Sequence, residues 1–239
     1  MKTLLLFSIG IFLLACNQEK NVKVTEPRQF EDWVELVIPN VGETYGIAGD
    51  IDDTLLVSTD KGVYITADKG KTWTLSKELL ENVLDIAEHE DTVFLLTGYS
   101  VQNYMGPLTI KNTDYATYCY DFSTDYGKTW HKDPESFCRL SSPIGIANST
   151  SGSVCRLHHY SPTDSPEIES TFSNVELYMN STWKNLNFPL KYNLNNIHID
   201  KMNRLYISAN TWSYMQDLNI KEFTSQVPGL VYMYKHRLP

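Results

Sequence analysis

Apolar and polar positions alternate along this chain in a way that predicts short strands almost throughout. Gly46-Ile47-Ala48 leads through a polar stretch to Asp52-Asp53-Thr54-Leu55-Leu56-Val57, and the same shape returns three times. The returns run from Asp85-Ile86-Ala87 to Thr92-Val93-Phe94-Leu95-Leu96, from Gly145-Ile146-Ala147 to Ser153-Val154-Cys155, and from Asn196-Ile197-His198 to Arg204-Leu205-Tyr206-Ile207. Each reads as an inner strand, a polar turn and an apolar second strand. Third strands are predicted at residues 62–66, 118–123, 175–180 and 229–234. Outside this pattern stand an apolar run from Leu4 to Leu14 and a polar stretch from Asn17 to Arg28.

Two of the units close on nearly identical turns, Thr66-Ala67-Asp68-Lys69-Gly70-Lys71-Thr72-Trp73 and Ser123-Thr124-Asp125-Tyr126-Gly127-Lys128-Thr129-Trp130. Gly70 and Gly127 supply the positive φ of a tight turn. Asp68 and Asp125 accept hydrogen bonds from turn amides and the Thr hydroxyl. Trp73 and Trp130 return a ring to the layer between sheets. The pattern resembles the Asp-box (BNR repeat) of sialidase-like, sortilin-like and photosystem-assembly-factor-like β-propellers. The resemblance implies an all-β propeller in which these aspartates are structural. The third unit keeps only the Thr-Trp of this turn, in Asn180-Ser181-Thr182-Trp183.

The fourth unit lacks an outer strand, and one is spare at the other end, Asp32-Trp33-Val34-Glu35-Leu36-Val37-Ile38. Trp33, Trp73, Trp130 and Trp183 are spaced by 40, 57 and 53 residues, and the inner strands step by 39, 60 and 51 in the same order. The segment around Trp33 is therefore expected to complete the last blade, giving a small propeller of four closed blades.

The apolar start is too short for a permanent membrane helix and reads as an export signal. Its ending, Leu13-Leu14-Ala15-Cys16, resembles the bacterial lipobox, which implies lipid on Cys16 and cleavage before it. The expected organisation is a signal peptide over 1–15, a lipidated tether over 16–29 and a propeller over 30–239. The expected place is the bacterial cell envelope, facing the periplasm or the exterior.

A net charge of −9 and a pI near 5.1 argue against nucleic acid as a partner. In an oxidising compartment the remaining cysteines, Cys119, Cys138 and Cys155, leave one bridge and one thiol. Cys119–Cys138 is favoured because both fall in one repeat, with Cys138–Cys155 close behind.

No catalytic pattern stands out. A sialidase would need an Arg-Ile-Pro segment and three arginines on a carboxylate. That segment is absent, and the five arginines are Arg28 in the tether, Arg139, Arg156, Arg204 and Arg237. His158 and His159 are adjacent on a strand and point to opposite faces, so they cannot chelate together. No metal site and no cofactor are expected.

Long insertions mark three blades, at about 99–116, 160–174 and 210–228. Long loops on a rigid scaffold carry function. Tyr99, Tyr104, Tyr160, Trp212, Tyr214 and Phe223 within them are the expected partner contacts. The insertions hold six acidic residues against two lysines, which favours a basic partner surface. The expectation is a monomeric, non-catalytic envelope lipoprotein that binds another protein, one version being an immunity protein against a periplasm-delivered toxin. A glycan-binding or glycan-hydrolysing propeller and an envelope assembly factor are the alternatives.

Overall fold

The computed structural model describes residues 28–79, 82–132, 138–160, 172–210 and 227–239. Strands β1 (Arg28–Gln29) and β2 (Trp33–Ile38) come first. Strands β3 (Thr44–Gly49), β4 (Leu55–Thr59), β5 (Gly62–Thr66) and β6 (Thr74–Glu78) form the first blade. The second holds β7 (Asp85–His89), β8 (Thr92–Met105), β9 (Thr109–Ser123) and β10 (His131–Lys132), with β11 (Cys138–Pro143) also on β9. The third is β12 (Ile146–Asn148), β13 (Val154–Tyr160), β14 (Phe172–Met179) and β15 (Thr182–Asn185). Finally β16 (Leu194–Ile199), β17 (Leu205–Ala209) and β18 (Gly229–Tyr234) join β2 and β1 in the order β1-β2-β18-β17-β16. The fold is a four-bladed β-propeller.

The two ends of the fold close the ring as the tryptophan spacing predicts. β2 runs antiparallel to β18, with Trp33 opposite Tyr234 and Ile38 opposite Gly229. Its side chains alternate between two neighbours. Leu36 and Ile38 pack with Ile47, Leu55 and Trp73 toward the first blade, whereas Trp33 joins Leu157, Val175 and Leu177 toward the third. The Trp33 ring meets Phe188 edge-on at 5.3 Å. Glu35, 1% exposed, accepts hydrogen bonds from Arg28 Nε at 2.6 Å and from the Tyr232 hydroxyl at 2.9 Å. Arg28, expected in the tether, is thus part of the sheet. A buried carboxylate needs these partners, so strand pairing extends past Phe30.

The Asp-box turns have the expected chemistry. Asp68 takes hydrogen bonds from the Thr66 hydroxyl at 2.9 Å, Thr72 N–H at 2.9 Å and the Thr72 hydroxyl at 2.7 Å. Asp125 repeats this with Ser123 and Thr129 at 2.7, 2.8 and 2.7 Å. Gly70 (φ 79°) and Gly127 (φ 83°) sit against Leu36 and Leu56 of the adjacent blade, where a Cβ would collide. In the third blade Asn180 and Ser181 both have positive φ, a two-residue turn that needs no carboxylate.

The second blade departs from expectation. The insertion at 99–116, read above as a loop, is strand: β8 and β9 pair out to Met105 and Thr109. Alternation had continued through Tyr99, Val101 and Tyr115, and it extends the hairpin as a ribbon. The fourth strand of this blade is split into β10 and β11. β11 pairs with β9 from Cys138 opposite Cys119 to Pro143 opposite Tyr115, and it packs along β7. The ring is therefore asymmetric: β3 lies beside β7 and β16, and β12 beside β16, while β11 lines the flank of β7.

Candidate functional site

Two places gather chemistry: the ribbon of the second blade and a cavity on the ring axis. The ribbon exposes Tyr99, 58% accessible, and Val101, 53% accessible, two residues apart on one strand and so on one side. The Tyr99 hydroxyl donates to Asp114 Oδ1 at 2.6 Å, an arrangement that raises the tyrosine pKa, and Asp114 lies opposite Val101 in the register. Tyr118 and Tyr120 are exposed farther down β9, and the Tyr118 ring lies over Gly98. Tyr160 is exposed at the end of β13 and pairs with Phe172 at 6.1 Å. Beside it, burial lowers the His159 pKa while the nearby Asp114 opposes that shift. The exposed aromatics thus extend from the second blade onto the third.

Tyr104 needs correction. Expected as a partner contact, it is 4% exposed and packs with Ile146 and Val154, beside Leu108 and Ile110. Its hydroxyl donates to Asn148 Oδ1. The ribbon leans on the third blade, so this ring serves packing. Trp212, Tyr214 and Phe223 lie outside the described residues, as does Cys16. Cys119 is disulfide-bonded, and Cys138 stands opposite it in the register. Cys155 is free and buried, and burial pushes its thiol up to about 12.

Sequence reasoning missed the second place. A cavity of about 610 Å³ opens where the first hairpin of each blade turns. Its mouth carries Asp50, Asp53, Glu88, Asp91 and Asp200, with Lys201, His198 and Tyr126. Deeper in, Ile47, Ile86, Ile146 and Ile197 line it, one from each blade. Asp85 and Ser142 lie at the inner end. There the inner strands approach closely: a Cβ on Gly46 would lie 2.5 Å from Ile86 N, so glycine is required.

Gly46, Asp85 and Asn196 on their inner strands, and Gly145 just before β12, each precede the shared isoleucine. Blades one and three keep the place open with glycine; blades two and four fill it with an acid and its amide. Asp85 is 6% exposed and Asn196 2%. Burial raises the Asp85 pKa to about 7, against the Ser142 hydroxyl and Ile86 N–H, which favour the anion. That pattern, Gly-Asp-Gly-Asn before a shared Ile, was the available signal.

Around the mouth, charges hold two blades together. Arg204 bonds Asp200 at 2.8 Å and Asp52 at 2.5 Å, and Lys201 lies 3.3 Å from Asp50. The Tyr206 hydroxyl donates to Asp200 Oδ2 at 2.9 Å and accepts from Ile51 N–H at 3.2 Å. Among the described residues no group of three or more His, Cys, Asp or Glu is placed to hold a metal ion.

No protein-family model matches the chain, and no curated protein matches it in sequence. Among solved structures it is similar to YCF48 bound to a D1 peptide, at 13% identity and a TM-score of 0.28, covering 77% of this chain and 67% of that one. It is also similar to the tricorn protease, at 10% identity and a TM-score of 0.26, covering 78% of this chain but 20% of that one.

Proposed function

We propose that this chain is a non-catalytic protein of the bacterial cell envelope, held there by lipid on Cys16, which binds a partner protein through the ribbon of its second blade. The observation that carries this reading is where exposed apolar side chains fall. Among the described residues, six of the eight large exposed hydrophobics are Tyr99, Val101, Met105, Tyr118, Tyr120 and Tyr160, on β8, β9 and the end of β13. Isolated exposed hydrophobics are ordinary, but such clustering marks an interaction surface. Tyrosines offer broad contact area with little entropy to lose, and Asp114 among them favours a basic patch on the partner. A toxin delivered into the periplasm is one partner that suits a tethered, rigid binder.

The test is capture from envelope extracts with the chain lacking residues 1–16, compared with its Tyr99→Ala/Tyr118→Ala variant. The expected result is one protein retained by the parent and lost by the variant at an unchanged melting temperature. Equal retention by both would refute the ribbon as the contact. Cys16→Ser should move the protein from the membrane to the soluble fraction; continued membrane association would refute the anchor.

A further inference from the structure

The ribbon of the second blade has an edge as well as a face. β7 covers β8 only from Thr92 to Leu96. Beyond that point β8 pairs with β9 in unbroken register to Gln102 opposite Thr113, and an irregularity follows before Tyr104. Among the described residues no strand pairs with the other edge of β8 from Thr97 to Gln102. Its backbone donors and acceptors on that side are a template for a further strand, and charge or proline is the usual protection. Neither is present. Charged residues make up 21% of the chain, yet residues 92–110 hold no Asp, Glu, Lys, Arg or His. The strands at the outer edges of the sheets all carry charge: Arg28 on β1, Lys77 and Glu78 on β6, Lys132 on β10, Arg139 on β11 and Lys184 on β15. The β8 edge is the exception.

We propose that this edge pairs antiparallel with the same edge of a second copy, making the protein a dimer rather than the monomer expected from its sequence. Two molecules of net charge −9 repel each other over most of their surface, so a neutral edge is where they approach most easily. The sequence there is also complementary to itself. With Ser100 opposite Ser100 of the second copy, Tyr99 faces Val101 and Val101 faces Tyr99. Both residues are exposed, and an aromatic ring beside a β-branched side chain is a favourable cross-strand pair. The nearest like charges are the two Asp114 carboxylates, one strand further out on each side. Three strand spacings separate them by about 14 Å. That exceeds the screening length of about 8 Å at physiological salt, so their repulsion is slight. The result is one sheet in the order β9-β8-β8-β9, with Tyr99 and Val101 of both copies on the same side. The proposal goes beyond the partner-binding reading, because it uses the edge of the ribbon and not what its face holds.

The test is sedimentation equilibrium of the full chain in density-matched detergent. The parent is expected at twice its monomer mass. Val101→Lys, a change at an exposed site, sets two ammonium groups near each other across the joint, and dimer dissociation should become about tenfold easier or more at an unchanged melting temperature. Ser100→Cys gives a second measure. The pairing puts this residue opposite itself, within the Cα separation of about 4.4–6.8 Å that a disulfide bridges. Mild oxidation should therefore link two chains faster than in Thr74→Cys, an exposed position on β6. A monomeric parent, a Val101→Lys variant that dimerises as tightly, or linking of Ser100→Cys no faster than Thr74→Cys would each overturn the proposal. A monomeric parent that still captures a partner protein sinks the pairing and leaves the partner-binding face standing. A dimer that captures nothing supports the pairing and counts against that face.

Discussion

Replacing Asp85 by Asn tests the electrostatics of the ring axis through stability alone. In the unfolded chain this carboxyl releases its proton near its ordinary value of 3.8; in the folded ring burial holds the proton until about pH 7. Below pH 4 both states are protonated and the side chain is not penalised. As pH rises from 4 to 7 the unfolded state alone gains by losing the proton, so stability falls, and above 7 the loss levels off. About three pH units at about 1.4 kcal/mol each set the size at about 4 kcal/mol. Asparagine keeps an acceptor for Ile86 N–H and carries no proton to lose. The stability of Asp85→Asn relative to the parent should therefore climb by about 4 kcal/mol between pH 4 and pH 8. Urea unfolding of both proteins at unit pH steps measures this, and the other titrating groups cancel in the difference. A difference that stays flat, or that falls with pH, would refute a neutral buried Asp85.

Three further outcomes follow from the geometry. Trp33 fills the seam between the third and fourth blades, but its indole N–H finds no acceptor among the described residues. Trp33→Ala should cost about 3–5 kcal/mol, and Trp33→Phe clearly less, in denaturant unfolding; equal losses would deny that apolar volume is what matters. Thr129 N–H, the Thr129 hydroxyl and the Ser123 hydroxyl hold the Asp125 carboxyl down at about 2. Its contribution is present above pH 4 and lost as pH falls through 2, so the melting-temperature gap between parent and Asp125→Asn should narrow over that window; a constant gap counts against the turn chemistry. Tyr104→Ala should destabilise by about 3 kcal/mol, whereas Tyr99→Ala should leave the melting temperature unchanged; similar melting shifts in both would contradict their opposite burial.

How much could be read in advance varied with the physics behind each signal. Closure was legible because Trp33, Trp73, Trp130 and Trp183 mark the start of each outer strand, and a ring admits one partner for the spare strand. The Asp-box was legible because its hydrogen bonds are local, made within seven residues of sequence. The ribbon was not, since Tyr99 and Tyr104 differ in burial through contact with Asn148 and Ile146, far along the chain. Asp85 escaped for a similar reason. Its meaning comes from Asn196 and Ser142, which the ring brings together and sequence separation hides.

The seam also has a schedule. Glu35 and Tyr232 are 197 residues apart, so β2 is made long before the strand it will pair with. During that interval Val34, Leu36 and Ile38 form one side of an open strand, a template for adhesion to other nascent chains. Glu35 stands in its middle. Costly to enclose once the ring is complete, a charge there is what keeps a waiting edge in solution, and Arg28 and Tyr232 neutralise that cost when the circle closes.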